Sequence, residues 1–134
     1  MNPPQSFDNL IPKIAKATGF QEVVKRLSTG ESKLKLNGIP NSLSAFLVAH
    51  VRSKIDSDIL VLTAEMEGAE KWRDDLQAII GKDNVSYFPA WENNIYENTA
   101  LTQEVSALRI ETATHLSQGV RRIIVAPAVA LLVP

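Results

Sequence analysis

The chain has 134 residues, of which 45% are apolar and 22% charged, the balance of one soluble globular domain; this excludes a wholly disordered chain. Fourteen Lys and Arg against fifteen Asp and Glu give a net charge of −1, so the chain lacks the basic excess that is typical of proteins gripping duplex DNA through its phosphates. The absence of cysteine excludes disulfides and thiolate metal sites.

Neither a signal peptide nor a membrane span is predicted. The first residues, Met-Asn-Pro-Pro-Gln, contain no basic n-region and no apolar h-region. The longest apolar stretch, residues 123–134, contains two prolines and is shorter than the roughly 20 residues that a transmembrane helix needs. We therefore expect a cytoplasmic protein that does not contact a membrane.

The first part of the chain predicts one helix after a polar lead. Residues 1–18 contain several prolines, and we expect them to be irregular or to form a short helix. The spacing of Phe20, Val23, Val24 and Leu27 predicts a helix over residues 20–27.

Strands and helices alternate along the rest of the chain. Four strands are predicted, at residues 33–37, 58–63, 84–88 and 122–126. The second and fourth are continuous apolar runs, which are typical of strands covered on both faces. Amphipathic helices are predicted between the strands, at residues 42–55, 65–80 and 102–116.

This alternation predicts an α/β fold: a parallel sheet of about four strands with right-handed crossovers and helices on both faces. We expect a lead over residues 1–32 and one domain over residues 33–134. The apolar end, residues 126–134, is consistent either with a chain cut before a neighbouring domain or with a final helix docked on the sheet.

The turn after the first predicted strand is where nucleotide-binding α/β domains hold phosphate, with the pattern G-x-x-x-x-G-K-[ST]. Glycines let backbone N–H groups approach the phosphate, the lysine reaches the β and γ phosphates, and the hydroxyl binds Mg²⁺. The residues here are Gly38, Asn41, Ser42, Leu43, Ser44 and Ala45. Only the first glycine matches, since leucine, serine and alanine replace the second glycine, the lysine and the hydroxyl, so no ATPase is expected. The segment is either an ordinary turn capped by Asn41 or Ser42, or a degenerate phosphate loop kept for its shape.

No catalytic or metal site is predicted. His50 and His115 lie on separate predicted helices, and no third ligand accompanies them.

An aromatic segment follows the third predicted strand. Tyr87, Phe88, Trp91 and Tyr96 fall within ten residues, which could form a stacking platform for a base or the centre of a protein interface. The simpler interpretation is a loop anchored by Trp91 and Tyr96, with a glutamate of the loop paired to a base such as Arg109.

The same segment carries a family resemblance. The pattern is Phe88-Pro89-x-Trp91-Glu92-x-x-x-Tyr96-Glu97, followed by a helix with Arg109. It resembles the N-terminal region of bacterial transcription-repair coupling factors, over about residues 34–134 and most specifically over residues 88–97. The chain departs from the family at Ile95, where proline is common, and at residues 100–101, where Ser-Pro is frequent.

The resemblance implies a fold like that of P-loop NTPases and of domain 1a of the excinuclease subunit UvrB, with a degenerate phosphate loop. Residues 33–134 would be the first half of a domain that an inserted UvrA-binding domain interrupts. The loop over residues 89–99 is too short for the tyrosine-rich DNA-clamping hairpin of UvrB.

The resemblance also implies what the whole protein does: an ATP-dependent DNA translocase that displaces stalled RNA polymerase and recruits nucleotide excision repair. ATP and magnesium would bind only in downstream motor domains, and UvrA, RNA polymerase and DNA would be partners of the full-length protein. This chain would be a non-catalytic scaffold that positions the UvrA-binding insertion and contacts the second half of its domain.

Two alternatives stay open. The first is a small independent α/β protein or enzyme with a ligand site at the carboxyl ends of the strands, around Gly38, Thr63 and Pro89. The second is a protein-interaction module that uses the loop over residues 91–96.

Overall fold

The computed structural model describes residue 13 and residues 18–91 and 99–132. The chain divides into two compact units, Met1–Ser57 and Asp58–Pro134.

The described part of the first unit contains two helices, α1 (Thr18–Ser28) and α2 (Asn41–Lys54). Phe20 and Val23 of α1 are buried together with Leu47 of α2. Half-buried apolar side chains surround them, namely Leu27, Leu34, Ile39, Leu43, Phe46 and Val51. The helical spacing over residues 20–27 is therefore confirmed, and its apolar face forms the core of this unit.

The predicted first strand is wrong: residues 33–37 have no regular secondary structure. Leu34 packs against the helical cluster, whereas Leu36 is 45% exposed. Alternating side chains indicate an extended segment, but a strand also needs a neighbour for its backbone hydrogen bonds. No described strand pairs with this segment.

The second unit is an α/β unit with a parallel sheet. Its strands are β1 (Ile59–Thr63), β2 (Val85–Tyr87) and β3 (Ile123–Pro127), in the spatial order β1-β3-β2. Helix α3 (Met66–Ile80) connects β1 to β2, and α4 (Thr99–Ser117) connects β2 to β3. The α/β class and the parallel sheet are confirmed, with three strands among the described residues where about four were expected.

The two crossovers explain which faces of the sheet are covered. They run across the sheet in opposite directions, so right-handed connections place α3 and α4 on opposite faces. Helix α3 packs against all three strands and α4 mainly against β2. The central strand β3 is buried along its whole length, which confirms that the last apolar run is a covered strand.

Strand β1 does not have the predicted cover on both faces. Leu60 and Leu62 are 50% and 51% exposed, because α4 reaches β2 at the other edge of the sheet. An apolar run is thus compatible with an edge strand that has one open face.

Short 3-10 turns complete this unit. Gly81 ends α3 with φ 89° and ψ 154°, as the sequence predicts, and Lys82–Asn84 leads into β2. After β3, Ala128–Leu131 forms a second 3-10 turn, and Leu132 is 79% exposed. None of the described helices combines the length and the apolar character that crossing a membrane requires.

Candidate functional site

Arg109, on α4, joins the segments that follow β2 and β3. Its Nη1 donates to the carbonyl of Pro89 at 2.8 Å and to that of Ala130 at 3.3 Å. Its guanidinium lies 4.1 Å from the ring centroid of Phe88 and 5.2 Å from that of Trp91. A planar guanidinium can donate in its plane while it stacks through its faces, so this one side chain binds both strand exits at the carboxyl end of the sheet.

The structure brings together four of the residues in the family-like pattern: Phe88, Pro89, Trp91 and Arg109. Glu92, Tyr96 and Glu97 lie outside the described residues, as does the predicted pairing of Arg109 with a glutamate of this loop. Trp91 is 36% exposed, so contact with Arg109 leaves part of the indole accessible.

The segment with the phosphate-loop spacing lies in the first unit and begins a helix that follows irregular chain. Gly38 has φ 73°, and α2 starts at Asn41 after Pro40, without a side-chain cap. The backbone thus places the N-cap at Pro40, and the predicted cap by the side chain of Asn41 or Ser42 lies outside what the structure describes. Proline at this position is compatible with the start of a helix because its φ is already near the helical value.

The residues that replace the phosphate-binding positions have structural roles. Leu43 packs in the helical cluster of the first unit, and Ala45 is only 1% exposed. The hydroxyl of Ser44 donates to the carbonyl of Pro40 at 3.3 Å. The segment thus combines core packing with a local hydrogen bond.

Thr63, a residue of the possible ligand site at the carboxyl ends of the strands, ends β1. Its hydroxyl donates to the carbonyl of Glu65 at 2.7 Å, immediately before α3. This bond fixes the turn from strand to helix.

A cleft that sequence reasoning missed lies beside β2, between α3 and α4. Its volume is about 420 Å³, and charged side chains of both signs line it: Arg73, Lys82, Arg122, Asp74, Asp83, Glu104 and Glu111. Ser86 is 6% exposed at the cleft, and its Oγ has no hydrogen-bond partner among the described residues. The only feature of the sequence that points to this cleft is Ser86, a polar residue in the middle of a short strand that is otherwise apolar.

Each histidine belongs to a different unit. His50 is buried and stacks on Phe20, with 6.4 Å between ring centroids. Burial lowers the pKa of His50, and the positive charge of Lys54 lowers it further. His115 is half-buried on α4. Within the described ranges, no three His, Asp or Glu side chains come together as metal ligands.

No protein-family model matches the chain. The transcription-repair-coupling factor of Bacillus subtilis (strain 168) is 24% identical to it over 124 residues, which are 92% of this chain and 10% of that protein. The chain therefore spans about a tenth of the length of the relative it matches. This match confirms the resemblance that the aromatic segment predicts: the chain is similar to a bacterial transcription-repair coupling factor.

Proposed function

We propose that this chain is a non-catalytic scaffold from the N-terminal region of a transcription-repair coupling factor. Residues 33–134 would be the first half of a UvrB-like domain with a degenerate phosphate loop. The observation that carries the proposal is the match to a coupling factor along 92% of the chain.

The start of α2 supports the absence of nucleotide chemistry. A phosphate loop needs a lysine and a hydroxyl that face the triphosphate and its metal. Here Leu43 and Ala45 face the core instead, and the hydroxyl of Ser44 is engaged with Pro40. A half-buried leucine and a buried alanine supply neither charge nor a metal ligand.

The arrangement around Arg109 supports a scaffold. Ligands of open α/β sheets usually bind beyond the carboxyl ends of the strands. In this chain Arg109 ties Pro89 and Ala130 together at that end. A guanidinium that fixes the exits of two strands gives rigid attachment points for the segments that follow them.

Within the full-length protein, this scaffold would position an inserted UvrA-binding domain and pack against the second half of its own domain. ATP and magnesium would act only in motor domains elsewhere. RNA polymerase and DNA would be bound by the whole translocase.

Nucleotide binding tests the non-catalytic part of the proposal. Titration of the purified chain with ATP and Mg²⁺ in a calorimeter should show no binding of micromolar affinity, and a phosphate-release assay should show no turnover. Micromolar binding together with turnover would contradict the proposal.

The sequence of the gene tests whether the chain is part of a longer translocase. The reading frame should encode motor segments with intact G-x-x-x-x-G-K-[ST] loops, in a product about ten times the length of this chain, as in the relative. If the gene encodes a protein without motor segments, the chain acts independently of a translocase.

A further inference from the structure

Two leucines of β1 point away from helix α3. A Cβ added at Gly68 of α3 would lie 3.5 Å from Cβ of Thr63, so the side chain of Thr63 faces α3. Successive side chains of a strand point to opposite faces, so Leu60 and Leu62 face the other side of the sheet. They are 50% and 51% exposed.

The register of the sheet leads to the same assignment. Val61 pairs with Val125, which pairs with Tyr87 on its other side, and residues in register share a face of the sheet. The ring of Tyr87 lies 4.8 Å from the guanidinium carbon of Arg73, on α3. Val61 therefore faces α3, and its neighbours in β1 face the side on which α4 lies.

Helix α4 adds a third exposed leucine on that side. Arg109 of α4 reaches the carbonyl of Ala130, just beyond the central strand β3, so its flank of the helix is directed toward β3. Leu116 follows Arg109 by seven residues, or two helical turns, and lies on the same flank. It is 47% exposed. We call Leu60, Leu62 and Leu116 the leucine patch.

The handedness of the crossovers determines which connection could cover this patch. The chain crosses the sheet from β1 to β2 through α3 and returns to β3 through α4. A further right-handed crossover that leaves β3 in the return direction passes over β1 on the side of α4. A crossover in the opposite direction would lie on the side of α3, which already packs against all three strands. A helix that follows β3 in the return direction would therefore lie over Leu60 and Leu62, beside α4.

We propose that the leucine patch is the binding surface for a helix from the second half of this domain, which follows residue 134 in the parent protein. The inference rests on the proposed function, in which residues 33–134 are the first half of a domain, and on a relative about ten times as long as this chain. Parallel sheets are generally covered on both faces. The covering helix should be amphipathic, with apolar residues at positions i, i+3, i+4 and i+7 against the leucines and polar residues outward.

Thiol accessibility tests the proposal in the full-length gene product. The chain contains no cysteine, so Leu62→Cys introduces one reporter at the patch, and mass spectrometry of the peptide that contains residue 62 measures its alkylation. In the full-length product this thiol should react at least about tenfold more slowly than in the 134-residue chain, because a covered thiol reacts only while the structure is locally open. Lys71→Cys, at an exposed position of α3, is the matched control and should react equally fast in both proteins.

Each other result of the alkylation overturns the proposal. Equal reactivity of Leu62→Cys in both proteins would show that the patch stays open in the parent. Slow reaction already in the 134-residue chain would show that the patch is covered by this chain itself or by a second copy of it. The fate of the proposed function is separate: a gene with motor segments and an open patch would sink the inference alone, whereas a gene that encodes no continuation would sink both.

Photo-crosslinking identifies the covering segment. p-Benzoylphenylalanine in place of Leu62 in the full-length product should crosslink to a peptide that follows residue 134 and has the predicted helical spacing of apolar residues. The same amino acid in place of Lys71 should not crosslink to that peptide. A crosslink from position 62 to residues 1–57, or to a second copy of the protein, would overturn the proposal.

Discussion

Arg109 donates a hydrogen bond of 2.8 Å to the carbonyl of Pro89, 20 residues earlier in the chain. Pro89 is buried, and it lies two residues beyond the end of β2. The bond therefore fixes the start of the aromatic segment to α4. Since hydrogen bonds from a charged donor are stronger than neutral ones, Arg109 should be important for the stability of the second unit.

Replacing Arg109 with glutamine should lower the free energy of unfolding of the second unit by about 1–3 kcal/mol, because Arg109→Gln leaves Pro89 and Ala130 without a charged donor. Urea denaturation followed by tryptophan fluorescence measures this, since Trp72 and Trp91 both lie in that unit. Lys71→Gln, at an exposed position of α3, is the control and should change stability by less than about 0.5 kcal/mol. Full stability of Arg109→Lys would show that charge alone suffices and would contradict a role for the planar guanidinium.

Leu76→Ala should destabilise the second unit by about 2–5 kcal/mol, the usual cost of truncating a buried leucine. Leu76 is fully buried between α3 and the sheet, whereas Leu62 is 51% exposed. Leu62→Ala should therefore cost less than half as much in the same urea titration. Equal losses would mean that the open face of β1 is covered in solution.

Gly81→Ala should cost about 1–3 kcal/mol, because φ 89° and ψ 154° lie in a region that is essentially restricted to glycine. Gly68→Ala is the matched control on the same helix. Its added Cβ would meet the side chain of Thr63 at an ordinary 3.5 Å, and it should stabilise by roughly 0.5–1 kcal/mol. Thermal unfolding followed by tryptophan fluorescence compares them, and a neutral Gly81→Ala would argue against this backbone conformation.

The stability of the first unit should decrease at acidic pH because of His50. Burial lowers the pKa of His50 in the folded state below the unfolded value of about 6.5. The unfolded chain then binds the proton more readily, so stability is full above about pH 6.5 and declines as the pH falls from there toward the folded pKa. Amide hydrogen exchange of α1 and α2, corrected for intrinsic rates, at about pH 7.5 and 5.5 measures the change.

The control for this pH effect is His50→Phe, which keeps an aromatic ring beside Phe20 and should remove the dependence. His115→Gln, in the second unit, should leave it unchanged. A dependence that persists in His50→Phe would assign it to other groups.

The sequence by itself located the helices and the central strand. The spacing of Phe20, Val23 and Leu27 placed α1, and Gly81 placed the end of α3, because helical periodicity and glycine backbone preferences are local properties. The apolar run at residues 122–126 indicated β3, because a continuous run of apolar residues is also a local property of the sequence.

Tertiary structure decided how these elements pair and which positions form sites. Residues 33–37 alternate like a strand, but no strand in the described part of the chain pairs with them, and β1 is apolar on both sides although one of its faces is open. The partners of Arg109 lie 20 and 21 residues away. The cleft beside β2 combines residues from both helices, the 3-10 turn before β2, β2 itself and Arg122, which precedes β3. Local patterns record which side chains avoid water, whereas strand neighbours and converging side chains depend on contacts between distant parts of the chain.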